Sequence, residues 1–155
     1  MTLSSLSWTL PVPRAASRSA AGAESPVSRA LGRCRPLFRR SVLVVAAAEG
    51  RGWEALRFAK DQGACVTALC PADRATEARA AGADVILDPG RIDPTWYRGA
   101  WSVIFDPTGG IGFRRALASL APDGVYVTSA ARSADRARAA ISRLSGGPRL
   151  LRLRG

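Results

Sequence analysis

Ala46-Ala47-Ala48-Glu49-Gly50-Arg51-Gly52 is the stretch whose residue types and position best suit ligand chemistry. It follows SVLVV (41–45), a short β-branched run apolar on both sides, as a strand covered on both faces requires. After it, Trp53, Leu56 and Phe58/Ala59 recur at helical spacing to Gln62, and Gly63 is placed to close that helix. A strand, a glycine-bearing turn and a helix, in a unit of about 30 residues, offer unpaired N–H groups and a partial positive charge to a diphosphate. Ala48, Glu49, Gly50, Arg51 and Gly52 are therefore the candidate phosphate-cradling positions.

Glu49 works against that chemistry. A carboxylate about 5 Å from one phosphate charge costs on the order of 3 kcal/mol at an effective dielectric near 20. Solvent screening and outward rotation reduce this to about 1 kcal/mol, and a side chain in place of a permissive residue in so tight a turn adds about 1 kcal/mol. Arg51 offsets part of it. The expected result is weakened binding, by roughly one to two decades, rather than exclusion.

The next strand, CVTALC (65–70), ends where a site selective for NAD places a carboxylate on the ribose 2′-hydroxyl. Leu69-Cys70-Pro71 stands there instead. Arg74 follows at a distance suited to pairing a 2′-phosphate. NADP is therefore the expected cofactor, with Cys70 and Arg74 facing the 2′-phosphate; the competing reading makes Arg74 an ordinary exposed helix arginine.

Other chemistries are excluded or unsupported. The chain has no histidine, which removes Ser-His and Cys-His catalysis and imidazole metal sites. Cys34, Cys65 and Cys70 are odd in number and never spaced as CxxC, so no zinc site or disulfide framework is expected. Ser129 lacks the frame of a hydrolase nucleophile, and Asp106, at a strand end, suits a turn cap better than a general acid. No catalytic residue can be named.

The elements that must position these residues alternate. DVIL (84–87) reads as a third strand, WSVIFD (101–106) as a fourth followed by Pro107-Thr108-Gly109-Gly110, and VYVTSA (125–130) as a fifth after a Pro122-Asp123-Gly124 turn. Between them lie a short Ala/Arg helix closed by Gly82, a helix over 112–120, and one from Ser133, read as its N-cap, to Leu144. RLLRLR (149–154) reads as a sixth strand. Strands of four to six residues alternating with helices predict a Rossmann-like, doubly wound α/β fold with a parallel sheet of about six strands. Ligands bind such sheets beyond the carboxyl ends of the strands.

Within that frame, VLVVAAAEGRGWEALRFAKDQGA, VTALCPADRATEARAAGAD with DVILDP, WSVIFDPTGG and LASLAPDGVYVTSA resemble the cofactor domain of the medium-chain dehydrogenase/reductase superfamily, in its zinc-free quinone-oxidoreductase branch. The VTALC strand and the Arg-rich leader also resemble the mitochondrial reticulon-interacting oxidoreductases of that branch. The resemblance covers about 90 residues, Ser41 to about Ala130. It implies an NADPH-dependent oxidoreductase, with Ala48, Gly50, Arg51 and Gly52 on the pyrophosphate and Thr108 and Ser129 near the nicotinamide ribose. The family turn runs roughly Gly-Ala-Ser-Gly-Gly-Val-Gly, so Glu49 stands at a glycine position. The family's catalytic domain precedes this region; residues 1–40 do not resemble it, and the expectation is a cofactor domain without it. A non-catalytic nucleotide-sensing or protein-interaction module is the alternative.

Charge divides the chain. Residues 1–40 and 132–155 each hold seven Arg and one acid, whereas 41–131 hold nine basic and ten acidic residues. The formal charge of +11 thus sits at the ends. No specific nucleic-acid surface is expected, and binding of nucleic acid or anionic lipid by the ends would be non-specific and salt-dependent. The leader, with seven Ser, four prolines and Glu24 as its sole acid, has the composition of an organelle transit peptide. It is expected to be disordered, with 41–155 forming the domain; a mitochondrial location is expected, with plastid or cytoplasm as the alternatives. No apolar run reaches the roughly 18–20 residues of a membrane span. By the family resemblance, the edge strand near 149–154 is expected to make a homodimer.

Overall fold

A computed structural model describes residues 25–34, 36–47 and 50–153. Six strands form one all-parallel sheet: β1 Ser41–Val45, β2 Cys65–Leu69, β3 Val85–Leu87, β4 Trp101–Phe105, β5 Leu120–Thr128 and β6 Arg149–Arg152. Their order is β3-β2-β1-β4-β5-β6. The chain steps outward from β1 to β3, then returns to the other side of β1 at β4, so the order reverses between β1 and β4. Open parallel sheets take their ligands at such a reversal, in the crevice beyond the carboxyl ends of the strands.

Alternate residues of each strand serve opposite faces. Val42, Val44, Val66, Val103, Phe105 and Val127 face α2 (Arg51–Asp61) and the short α3 (Ala75–Ala80), packing on Ala55, Leu56, Ala59 and Ala78. Leu43, Val45, Leu69, Ile104 and Tyr126 face the other way, onto Phe113 and Ala116 of α4 (Phe113–Ala116) and Ala139 of α5 (Ser133–Leu144). Both faces are covered, which is why the central strands read as unbroken apolar runs rather than alternating ones.

A further helix lies in the stretch set apart by its composition. α1, Pro26–Gly32, starts from Ser25, whose hydroxyl accepts from the Ser28 N–H, with proline in the first helical position. Val27 and Leu31 are fully buried against the β1–β2 face, beside Leu37. The Ser25 hydroxyl also donates to Glu54 of α2. The packed body therefore reaches back at least to Ser25, before the expected start at Ser41; residues 1–24 lie outside the described residues.

Other element boundaries move for identifiable reasons. The helix expected over 112–120 is a single turn, Phe113–Ala116. β5 starts at Leu120 and carries Pro122-Asp123-Gly124 within it, accommodated by a register shift against β4 between Trp101 and Val103. Ser133 is the first helical residue of α5 and Arg132 holds the cap position, where its N–H donates to Asp135.

Candidate functional site

The mouth of α2 is built from the turn that leaves β1. Ala46 takes a left-handed backbone, φ 51°, which costs an L-residue about 1–2 kcal/mol. Alanine is thus a less mild replacement for the first glycine than size alone suggests. The Ala47 N–H donates to the Leu69 carbonyl at 3.3 Å, joining the turn to the end of β2. Gly50 caps α2 with φ 40° and contributes no side-chain acceptor, and a Cβ added there would meet nothing within 4 Å. Gly52 is the opposite case. A Cβ there would lie 2.2 Å from the Ala46 carbonyl oxygen, so only glycine lets α2 approach β1 this closely. Arg51 is exposed at the first turn. Ala48 and Glu49 lie outside the described residues.

Across the crevice, the turn after β4 is organised by one carboxylate. Asp106 has no exposed surface, and its Oδ1 accepts from the Thr108 hydroxyl at 3.1 Å and from the Gly109 and Gly110 N–H groups at 2.8 and 3.1 Å. Oδ2 accepts from the Ile111 N–H at 2.8 Å and the Tyr126 hydroxyl at 2.7 Å. The Tyr126 oxygen in turn accepts from the Gly112 N–H at 3.1 Å. Burial, then the hydrogen bond to Asp106, raises the Tyr126 phenol far above its ordinary range. The loop 107–112 is thereby held in one shape by a buried pair from β4 and β5. Asp106 does serve the turn, as its place at a strand end suggests. Tyr126 is the partner that residue types alone did not single out; its signal is an inward position on the neighbouring strand, level with Ile104, two residues before Asp106 and on the same face.

Thr108 and Ser129 stand on adjacent turns at the carboxyl ends of β4 and β5. The Thr108 hydroxyl is turned to Asp106 and the Ser129 hydroxyl donates to the Pro107 carbonyl. A Cβ on Gly109 would meet the Ala130 Cβ at 2.9 Å, so the two turns are also in close contact. Both hydroxyls brace the wall of the crevice in this structure.

The end of β2 brings Cys70 and Arg74 to the same edge. Cys70 is buried, and burial followed by Asp73 and Asp88 raises its thiol above the ordinary value. Arg74 is exposed, but Glu77 holds its Nη1 with both carboxylate oxygens, at 2.9 and 3.2 Å. An exposed pair of this kind contributes about 0–1 kcal/mol, a cost a 2′-phosphate can offset. Among the described residues, no group of three or more His, Cys, Asp or Glu is arranged to hold a metal ion, and no helix is long and apolar enough to cross a membrane.

The fold matches solved structures over most of the chain. The quinone oxidoreductase from Coxiella burnetii superposes with a TM-score of 0.70 at 19% identity, over 86% of this chain and 42% of that one. A cobalt- and zinc-bound thermostable alcohol dehydrogenase from Pyrobaculum aerophilum gives 0.67 at 26% identity, over 83% and 38%. A mycobacterial protein complexed with NADPH gives 0.64 at 26%, over 85% and 45%. The structural neighbours are oxidoreductases of the medium-chain dehydrogenase/reductase superfamily. The chain spans less than half the length of each of these three. No protein-family model and no curated protein sequence matches the chain.

Proposed function

We propose that this chain is the NADP(H)-binding domain of a zinc-free, quinone-oxidoreductase-like oxidoreductase. The observation that carries the reading is the reversal of strand order between β1 and β4, with the two turns that flank it. One wall is a turn in which Gly52 is sterically obligatory, with open space at Gly50; the other is a loop pre-shaped by Asp106. These residues fit a dinucleotide. The diphosphate would lie at the first turn of α2, where Gly50, Arg51 and Gly52 offer backbone N–H groups and a guanidinium. Arg74 would release Glu77 to meet a 2′-phosphate beside Cys70, and the Thr108 and Ser129 turns would bound the nicotinamide ribose. Bound NADPH supplies the hydride; this chain's own residues bind and orient it. Two of the neighbours named above support the reading, one by its NADPH and one by its name.

Turnover needs substrate held at near-attack distance from the nicotinamide. The proposal assigns that task to a substrate domain like that of the longer relatives, and to this chain cofactor binding alone. A homodimer through β6 and a mitochondrial location belong to the same proposal. The first rests on β6 being an edge strand with open backbone groups, the second on the Ser/Arg-rich leader. Fluorescence titration of the full chain with NADPH and NADH tests the cofactor claim. Saturable NADPH binding, tighter than NADH, is expected; no saturation below about 1 mM, a binding energy of about 4 kcal/mol, would remove it.

A further inference from the structure

The edge of the sheet opposite the crevice, at the amino ends of the strands, carries a cavity of about 350 Å³. Its walls include Cys34 and Arg40 before β1, Ser102 in β4, Asp123 in β5, Arg143 near the end of α5, and Arg149 at the start of β6. That size lies at the lower end of small-ligand sites. The arginines come from both basic ends of the sequence, and only the fold brings them together.

Their charges do not cancel. Arg40 is paired with Asp123, whose carboxyl is held below its ordinary range by that hydrogen bond first, with Arg149 adding to the effect. Among the described residues, Arg143 and Arg149 have no ion-pair partner. Burial pushes the Cys34 thiol up to about 11 despite Arg149, so it contributes no negative charge near neutral pH. Two guanidinium charges are left over, in a concave site with the Ser102 hydroxyl available as a further donor. A monocarboxylate would balance one of them. A phosphate monoester, carrying about two negative charges and three acceptor oxygens at neutral pH, balances both.

We propose that this cavity is a second anion site, separate from the cofactor crevice, that takes the phosphate group of a small phosphorylated molecule through Arg143 and Arg149. Arg40, half-buried and paired with Asp123, lines the same cavity, and Arg143 and Arg149 stand exposed at its mouth. The site lies across the full length of β1 from the mouth of α2, so the two bind independently.

Calorimetric titration of the full chain with inorganic pyrophosphate, alongside NADPH, tests this. Arg143→Gln/Arg149→Gln is expected to weaken pyrophosphate binding about 10-fold or more, as loss of two charge-assisted contacts implies, with NADPH affinity unchanged. Should that chain fail to fold, Arg143→Lys/Arg149→Lys decides: the charge stays but the bidentate fork is lost, and binding about threefold weaker or more is expected. Equal pyrophosphate affinity in the folded variant and the natural chain would overturn the proposal, because the α2 mouth would then account for all of it. So would absence of saturable pyrophosphate binding. Association with phosphatidylcholine vesicles containing phosphatidate, without binding of free pyrophosphate, would also overturn it in favour of a lipid surface.

Discussion

Asp106 and Tyr126 show how one buried pair can shape a binding loop without touching a ligand. Five donors converge on the carboxylate, four of them from the loop that follows β4. Tyr126→Phe keeps the ring packed on Phe113, at 5.9 Å between centroids, and removes only the hydroxyl. The Gly112 N–H then loses its acceptor and Asp106 a donor, so urea denaturation should show a loss of about 1–3 kcal/mol. A change within error would mean that the loop holds its shape unaided. Glu77→Gln tests the other wall. It releases Arg74 from its bidentate partner, and the ratio of NADPH to NADH affinity should rise by about two- to fivefold, the size of an exposed pair. An unchanged ratio would place the 2′-phosphate elsewhere. At this scale the residue types of the site were legible, but the orientation of the hydroxyls was not. Thr108 and Ser129 lie on the turns after β4 and β5, yet each spends its hydroxyl within this wall, Thr108 on Asp106 two residues before it and Ser129 on Pro107, far from it in sequence.

Among the elements, α1 is the one that composition concealed. Seven arginines and seven serines dominate residues 1–40, and a helix of seven residues is too short to show a period against that background. The local signs were nonetheless present: a serine cap, proline at the first position, and Val27, Ala30 and Leu31 at helical spacing. Leu31→Ala should cost about 2–5 kcal/mol in urea denaturation, as for a fully buried leucine; a cost below 1 kcal/mol would mean α1 is not docked. The junction of α2, β2 and β3 has a pH signature. Asp84 accepts from Lys60 and, at 2.8 Å, from the Val66 N–H, and the Lys60 hydrogen bond is the main cause of its lowered pKa. A carboxylate lowered in the folded state stabilises above its unfolded value of 3.8, and that stability is lost as pH falls through the lower folded value. Between pH 5 and pH 3 the urea midpoint of the natural chain should therefore fall more than that of Asp84→Asn. The difference is held under about 1 kcal/mol by solvent screening of the half-exposed pair. Parallel curves would contradict the assignment.

For the molecule as a whole, alternation of short apolar runs with helical spacing fixed the doubly wound class, and the six strands fall where those runs lie. What alternation could not supply is the meeting of distant edges. The basic N-terminal end read as a leader outside the domain, whereas α1 docks part of it on the body that also holds α5 and β6, and the cavity at the amino ends gathers Arg40, Arg143 and Arg149. The molecule thus has two poles: a crevice of backbone donors at the carboxyl ends of the strands, and an arginine-lined hollow at the other. Cofactor binding belongs to the first. Its most direct test is a paired NADPH titration of the natural chain and Glu49→Gly by fluorescence. The account predicts saturable binding in both, tighter in the variant by about one to two decades, because a carboxylate is removed from beside the diphosphate and a permissive backbone restored. Failure of both chains to saturate below about 1 mM would contradict it.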